Sequence, residues 1–174
     1  GLALADVLFG EVNPSGKLPF TFPRRLEDNS AHALGEHPGT RDSVRYREGI
    51  FVGYRWHERQ RIAPLFAFGH GLSYTTFDYA NVRADRKTLS RSGRIRVSVD
   101  VTNTGDRAGK EVVQLYIGDR ESALPRPVKE LKGFSKVSLE PGETRTVSFE
   151  ITPEALQYYD DATGLWTAEE GIFD

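Results

Sequence analysis

The sequence predicts a mainly β fold whose larger part is a two-sheet sandwich, and three observations predict it. The run IRVSVDVT at 95–102 alternates strictly, with Ile95, Val97, Val99 and Val101 on one face and Arg96, Ser98, Asp100 and Thr102 on the other. A second run, TRTVSFEI at 144–151, alternates in the same way and turns Val147, Phe149 and Ile151 inward. Turn signals separate the strand-sized runs, at Asn103-Thr104-Gly105 and at Glu140-Pro141-Gly142-Glu143. Runs and turns at this spacing suggest an immunoglobulin-like sandwich of about 100 residues, beginning near Thr75.

The Cys…Trp…Cys pattern of immunoglobulin domains is missing from this cysteine-free chain, so the fibronectin type III variant is the better fit. Within it, EVVQLYIG at 111–118 sets Val113, Leu115 and Ile117 against Val112 and Tyr116. Apolar on both faces, it reads as a central strand. KELKGFSKVSL at 129–139 reads as a weaker strand, interrupted at Gly133.

The first 74 residues follow other rules. GLALADVLFG places Leu4, Val7 and Leu8 on one helical face, with Gly10 where a helix-ending glycine belongs. Asn13, Pro14 and Gly16 form a turn, and Lys17–Phe22 extends. Pro19 restricts that stretch to an edge strand or irregular extended chain. Residues 24–49 are polar and marked as loop by Asn29, Ser30, Gly35, Pro38 and Gly39. Residues 50–74 combine β-branched and aromatic side chains at Ile50–Trp56, a charged stretch, and an aromatic approach to Leu72 with Gly53, Gly69 and Gly71. That composition predicts a packed connector rather than a free linker. The opening helix has no capping residue before it, and GIFD stands where a new strand should start, so both ends read as cut.

Bulk properties narrow the function classes. Among 174 residues, 38% are hydrophobic and 28% charged, which fits a soluble globular protein and argues against disorder. A net charge of −2 with dispersed Lys and Arg gives no reason to expect nucleic acid or an anionic membrane as the main partner. No apolar run approaches the roughly 20 residues that span a bilayer. Absent cysteine excludes disulfides and thiolate metal sites but leaves the compartment open.

Candidate chemistry is thin. GEVNPSGKL has five residues between Gly10 and Gly16 where a phosphate loop has four, and Leu18 stands where a magnesium-binding Ser or Thr is needed, so it reads as a turn. His32 and His37 lie five apart on a polar loop, and His57 and His70 sit among aromatics. None has metal-site spacing, and all read as structural or solvated. YDDATG near Asp160 fails the calcium-loop pattern at Ala162. Glycoside cleavage needs paired carboxylates, but Glu48 and Glu58, flanking VGYRW, have no local feature that would separate their pKa values. No GxSxG elbow occurs. No catalytic, cofactor-binding or metal-binding position is assigned, and no cofactor is expected.

The order of motifs carries more than any one of them. ALADVLFGEVNPSGKLPFTFP resembles the end of the α/β sandwich domain of family-3 glycoside hydrolases, with its G-x-x-NPSGKLPxTFP pattern. YREGIFVGYRW resembles that family's YxEGIxVGYRxY segment, and PLFAFGHGLSYTTFDY its PLFPFGHGLSYTxFxY junction, with Ala67 where proline is commoner. EVVQLYI, RPVKELKGFSKVSLEPGET and YYDDATGLWTAEEGIF are similar to its fibronectin-like domain. The resemblance covers essentially the whole chain, in order.

It implies a layout: residues 1–40 as the end of the α/β sandwich domain, 41–74 as an aromatic-rich connecting segment, and 75–174 as a fibronectin type III-like sandwich with its last strand truncated. It also implies a retaining β-glycosidase as the parent protein, with nucleophile and acid/base in upstream domains, so this stretch alone should be inactive. Its substrate would be met through those domains. Phe51, Tyr54, Trp56, Leu65, Phe66 and Phe68 would dock the sandwich against its neighbours, bracing the core. A final strand with three inward apolar side chains would add on the order of 5–9 kcal/mol, so without it marginal stability and an unpaired sheet edge are expected. The competing readings are a stand-alone fibronectin-like adhesion or carbohydrate-binding module, and a non-catalytic scaffold of the same family.

Overall fold

The computed structural model describes residues 1–40 and 42–174; position 41, where the expected connecting segment opens, lies outside the described residues. The helices are α1 Leu2–Leu8, α2 Ser30–Ala33, α3 Tyr54–Gln60 and α4 Pro153–Leu156. The strands are β1 Phe77–Ala84, β2 Ile95–Asn103, β3 Gly109–Ile117, β4 Glu130–Leu139, β5 Thr144–Ile151, β6 Tyr158–Asp160 and β7 Leu165–Thr167. The chain divides into two compact units, one of Gly1–Gly16, Gly71–Tyr116 and Leu131–Glu170, the other of Lys17–His70, Ile117–Glu130 and Gly171–Asp174.

The first unit holds the sandwich. An antiparallel sheet runs β1-β2-β5, with Ile95 opposite Ile151, Val97 opposite Phe149 and Val99 opposite Val147. Because side chains alternate with period two, this register sends every valine of β2 to one side. Val99, Val101, Val113, Leu139 and Val147 form the buried core, with Phe77, Val137 and Phe149 packed on it. The two alternating runs are therefore core strands, as their pattern predicts. Outward positions pair across the ladder through hydroxyls, Ser98 with Ser148 at 2.9 Å and Thr102 with Thr144 at 2.8 Å.

Two expectations need correction. Among the described residues β3 pairs with β4 in a two-stranded sheet, and it is β2 that lies between two neighbours. The apolar character of both β3 faces reflects partial cover on each side: Val113 and Ile117 are buried while Val112, Leu115 and Tyr116 are half-buried. Nor does Gly133 interrupt β4, which runs unbroken through it. A Cβ at 133 would stand 3.0 Å from Cδ1 of Phe149, so the glycine makes room for a core ring within a regular strand.

A bulge between Ala80 and Arg83 puts Asn81 at φ 54°, a conformation asparagine tolerates. The bulge brings two side chains of β1 onto Asp100, Asn81 Nδ2 donating at 3.0 Å and the Arg83 guanidinium at 3.2 Å, and Thr146 Oγ1, opposite on β5, donates at 2.6 Å. The Thr146 bond first, then Arg83 and Asn81, hold this carboxyl down to about 2. A depressed folded-state pKa adds stability above the unfolded value of about 3.9, and that stability is lost as pH falls through about 2. In acid titrations followed by circular dichroism, Asp100→Asn is expected to be less stable at neutral pH and to lose less on going from pH 5 to pH 2. Parallel acid limbs for the two proteins would refute this.

In the second unit, Lys17–Phe22 is the irregular extended segment expected. Leu18 N–H donates to His70 O and Gly69 N–H to Leu18 O, both at 2.8 Å, and Phe22 bridges Phe66. The polar stretch 24–49 is not all loop. It contains a 3₁₀ turn at Leu26–Asp28, closed by Arg25 on Asp28, and α2, capped by Asn29. Turns of three and four residues are too short to leave a periodic signature. The Ile50–Trp56 run leads into α3, entered through Gly53 at φ 57° and ψ −129°. Trp56 is buried and donates from Nε1 to Asp28 O at 3.2 Å, and Phe51 is buried with the Arg59 guanidinium 3.8 Å over its ring. Both are thus occupied within this unit. Leu65 and Phe66 are exposed.

Candidate functional site

The first unit contains a hydrogen-bonded clasp built from the motif residues. Asn13, which opens the NPSG turn, accepts at Oδ1 from Ser73 Oγ (3.0 Å) and Tyr74 N–H (2.8 Å) and donates from Nδ2 to Ala108 O (3.0 Å). The Tyr74 hydroxyl donates to Val7 O at 2.7 Å, satisfying a carbonyl in the last turn of α1. Arg107 donates from Nη2 to Gly10 O at 2.9 Å, and its guanidinium lies 5.7 Å above the Tyr74 ring. Gly109 permits the close approach, because a Cβ there would stand 2.5 Å from Thr75 Cγ2, 2.9 Å from Phe77 Cζ and 3.1 Å from Asn13 Nδ2.

The inner end of the clasp is Asn103, which is fully buried. Its Oδ1 accepts from the Thr75 hydroxyl (2.6 Å) and Gly105 N–H (3.1 Å), and its Nδ2 donates to Arg107 O (2.7 Å) and Leu139 O (3.0 Å). Hydrogen bonds therefore run from α1 through Tyr74, Asn13, Ser73, Thr75 and Asn103 to the core strand β4. Every polar atom of the Asn103 amide is matched, which is what a buried amide requires. The clasp commits its hydroxyls, amides and guanidinium to one another and to backbone carbonyls. It holds the α1 segment to the sandwich.

The second unit carries a charge network. Arg126 donates to Asp119 (3.1 Å) and to Glu130 (3.2 Å), and the Arg126 and Asp119 side chains retain only 10% and 2% of their exposure. Glu130 also meets Arg55 at 3.1 Å, and Lys129 meets Glu58 at 2.9 Å. Arg55 and Glu58 are three apart on α3, so one helix face grips residues 129 and 130 through two ion pairs.

Most of the residues weighed for chemistry are engaged elsewhere. Glu58 is engaged by Lys129, and Glu48 Oε2 and Glu58 Oε2 are each buried without a hydrogen-bond partner among the described residues. His57 is buried and donates from Nδ1 to Ile62 O at 3.1 Å, and His70 stacks on Phe66 at 5.3 Å. The His32 and His37 rings lie 4.6 Å apart. Among the described residues no group of three or more His, Cys, Asp or Glu could hold a metal ion, and no helix is long and apolar enough to cross a membrane. Both Asp160 oxygens accept within their own turn, from Ala162 N–H and the Thr163 hydroxyl. Sequence reasoning missed Asn103 and Arg107 as members of the clasp. Asn103 read only as a turn residue, because nothing local shows that its side chain turns inward.

Comparison with known proteins accounts for both parts of the chain. The profile of the glycosyl hydrolase family 3 C-terminal domain matches residues 1–74, and that of a fibronectin type III-like domain matches 111–174. A β-glucosidase of Bacteroides ovatus is 56% identical over 99% of this chain, and thermostable β-glucosidase B of Acetivibrio thermocellus 53% over 99%. The chain spans 23% of the length of each, so under a quarter of these curated relatives. The crystal structure of the Bifidobacterium adolescentis family-3 β-glucosidase superimposes with a TM-score of 0.91 at 39% identity, over 99% of this chain and 25% of that one. The Kluyveromyces marxianus β-glucosidase in complex with glucose gives 0.88 at 44%, over 98% and 20%. With a mainly β fold, both family domains in order and β-glucosidases matching it almost end to end, the chain belongs to the family-3 glycoside hydrolases as a stretch of their C-terminal region.

Proposed function

We propose that the protein containing this stretch is a retaining β-glycosidase acting on β-glucosides, and that the stretch itself braces the catalytic domains without supplying a catalytic residue. The observation that carries this reading is the match to β-glucosidases over 99% of the chain. The clasp supports the bracing part, since the family-typical Asn13, Ser73 and Tyr74 all serve to fix one segment on another. In this reading residues 1–40 close the α/β sandwich domain, 41–74 connect, 75–174 form the fibronectin-like sandwich, and the exposed Leu65 and Phe66 dock against a neighbouring domain. Assay of the whole gene product and of this 174-residue chain on aryl β-glucosides tests it. Turnover is expected from the former and none from the latter; an inactive whole protein or a hydrolysing fragment would overturn it.

One observation favours a second reading, a carbohydrate-binding module. Tyr159 and Trp166 face each other across β6 and β7, 53% and 66% exposed, with ring centroids 5.7 Å apart. Exposed aromatic faces of this kind can stack on sugars, although at 68° the two rings cannot share one flat pyranose. Titration calorimetry with cello-oligosaccharides separates the readings: saturable binding abolished by Trp166→Ala favours the module, and no heat of binding favours the brace.

A further inference from the structure

The connection between β1 and β2 has a charge character unlike the rest of the chain. It carries four cations, Arg86, Lys87, Arg91 and Arg94, and the adjoining strand ends add Arg83 and Arg96, against one acid, Asp85, in a protein of net charge −2. Arg83 is taken up by Asp100, whereas Lys87 and Arg91 form no ion pair among the described residues. The connection also borders an open pocket of about 500 Å³ lined by Asp85, Arg86, Thr88, Ser90, Gly93 and Arg94.

We propose that this pocket binds a multiply charged oxyanion of the phosphate or sulfate type. Arg86 and Arg94 supply charged donors, and Thr88 and Ser90 supply hydroxyls. Arg94 commits only Nη1 to Glu150, at 3.0 Å, so its remaining N–H groups stay available. The one acidic lining residue, Asp85, is itself engaged. Its Oδ1 accepts from Arg96 N–H at 2.9 Å and lies 3.8 Å from Arg86 Nε. Gly93 keeps the Ser90 hydroxyl accessible, since a Cβ there would stand 2.8 Å from Ser90 Oγ. Lys87 and Arg91, flanking the lining residues, raise the local anion concentration through their field.

The test is titration calorimetry of the 174-residue chain with inorganic phosphate, inorganic sulfate and glucose 6-phosphate, with neutral glucose as the uncharged comparison. Saturable binding of the anions is expected, weakening as ionic strength rises. The double variant Arg86→Gln/Arg94→Gln should weaken it by about tenfold or more, the consequence of losing charge-assisted donors. Lys136→Gln, an exposed cation on β4 that does not line the pocket, should leave it within about twofold, because exposed charges outside the site are screened by salt. Thermal melts establish that each variant is folded. Tighter binding of glucose 6-phosphate than of phosphate identifies a sugar ester as the ligand source, and equal binding identifies the free anion. Absence of saturable anion binding, an unaffected double variant, or an equal loss in Lys136→Gln overturns the proposal.

Discussion

Replacing Asn103 with alanine is expected to destabilise the protein by about 3–5 kcal/mol, because four hydrogen bonds vanish at a fully buried position. The Leu139 carbonyl and the Thr75 hydroxyl would be left unsatisfied at buried positions, where each such group costs about 1–3 kcal/mol. For a chain of this size that corresponds to a melting temperature lower by roughly 10 °C or more. Asn103→Asp separates the two halves of the amide. It retains an acceptor for Thr75 and Gly105 but sets a charged oxygen against two carbonyls, so it should do no better than alanine. Thr75→Val removes one bond only and should cost about 1 kcal/mol. Equilibrium denaturation followed by far-ultraviolet circular dichroism measures all three. An Asn103→Ala protein within about 1 kcal/mol of the parent would sink the view that this side chain anchors the clasp.

The second large effect is expected at Arg126. Asp119 retains 2% side-chain exposure, so truncating its guanidinium partner leaves a buried carboxylate unpaired, at a cost of about 3–5 kcal/mol. Glu130 loses the same partner but keeps Arg55 at 3.1 Å, which confines most of the penalty to Asp119. The decisive comparison is a double-mutant cycle. Arg126→Ala/Asp119→Ala should be more stable than Arg126→Ala alone, because removing the orphaned charge removes its desolvation penalty. Additive losses in the cycle would mean that the two side chains act independently.

These two sites also mark where the sequence stops being informative. The sandwich was legible because period-two alternation is a direct readout of which face is buried: the valines of β2 and Val147, Phe149 and Ile151 of β5 all lie where the pattern put them. The family was legible because its motifs run in order through the whole chain, and the two matched profiles together take in most of it. The opening helix was legible from its spacing and from Gly10, which does take a positive φ of 81°.

What failed was everything that depends on a neighbour far away in sequence. β3 looked central because apolar residues on both faces signal burial, yet composition cannot count hydrogen-bonded neighbours. Gly133 looked like a break, and only the Phe149 ring, 16 positions later, explains why a regular strand needs a glycine there. Phe51 and Trp56 looked like docking surface, but Arg59 and Asp28 already cover them.

The sequence by itself therefore determined the fold class, the alternating core strands and the family, since all three rest on local pattern and motif order. Only the tertiary structure decided that Asn13 and Asn103 are the two ends of one polar chain, 90 residues apart in sequence. It alone decided that Asp119 and Arg126 are buried together and that Arg86, Thr88, Ser90 and Arg94 line one pocket. The physical reason is that hydrophobic periodicity is written along the chain, whereas the satisfaction of a buried polar group is a property of whichever distant backbone folding brings to it.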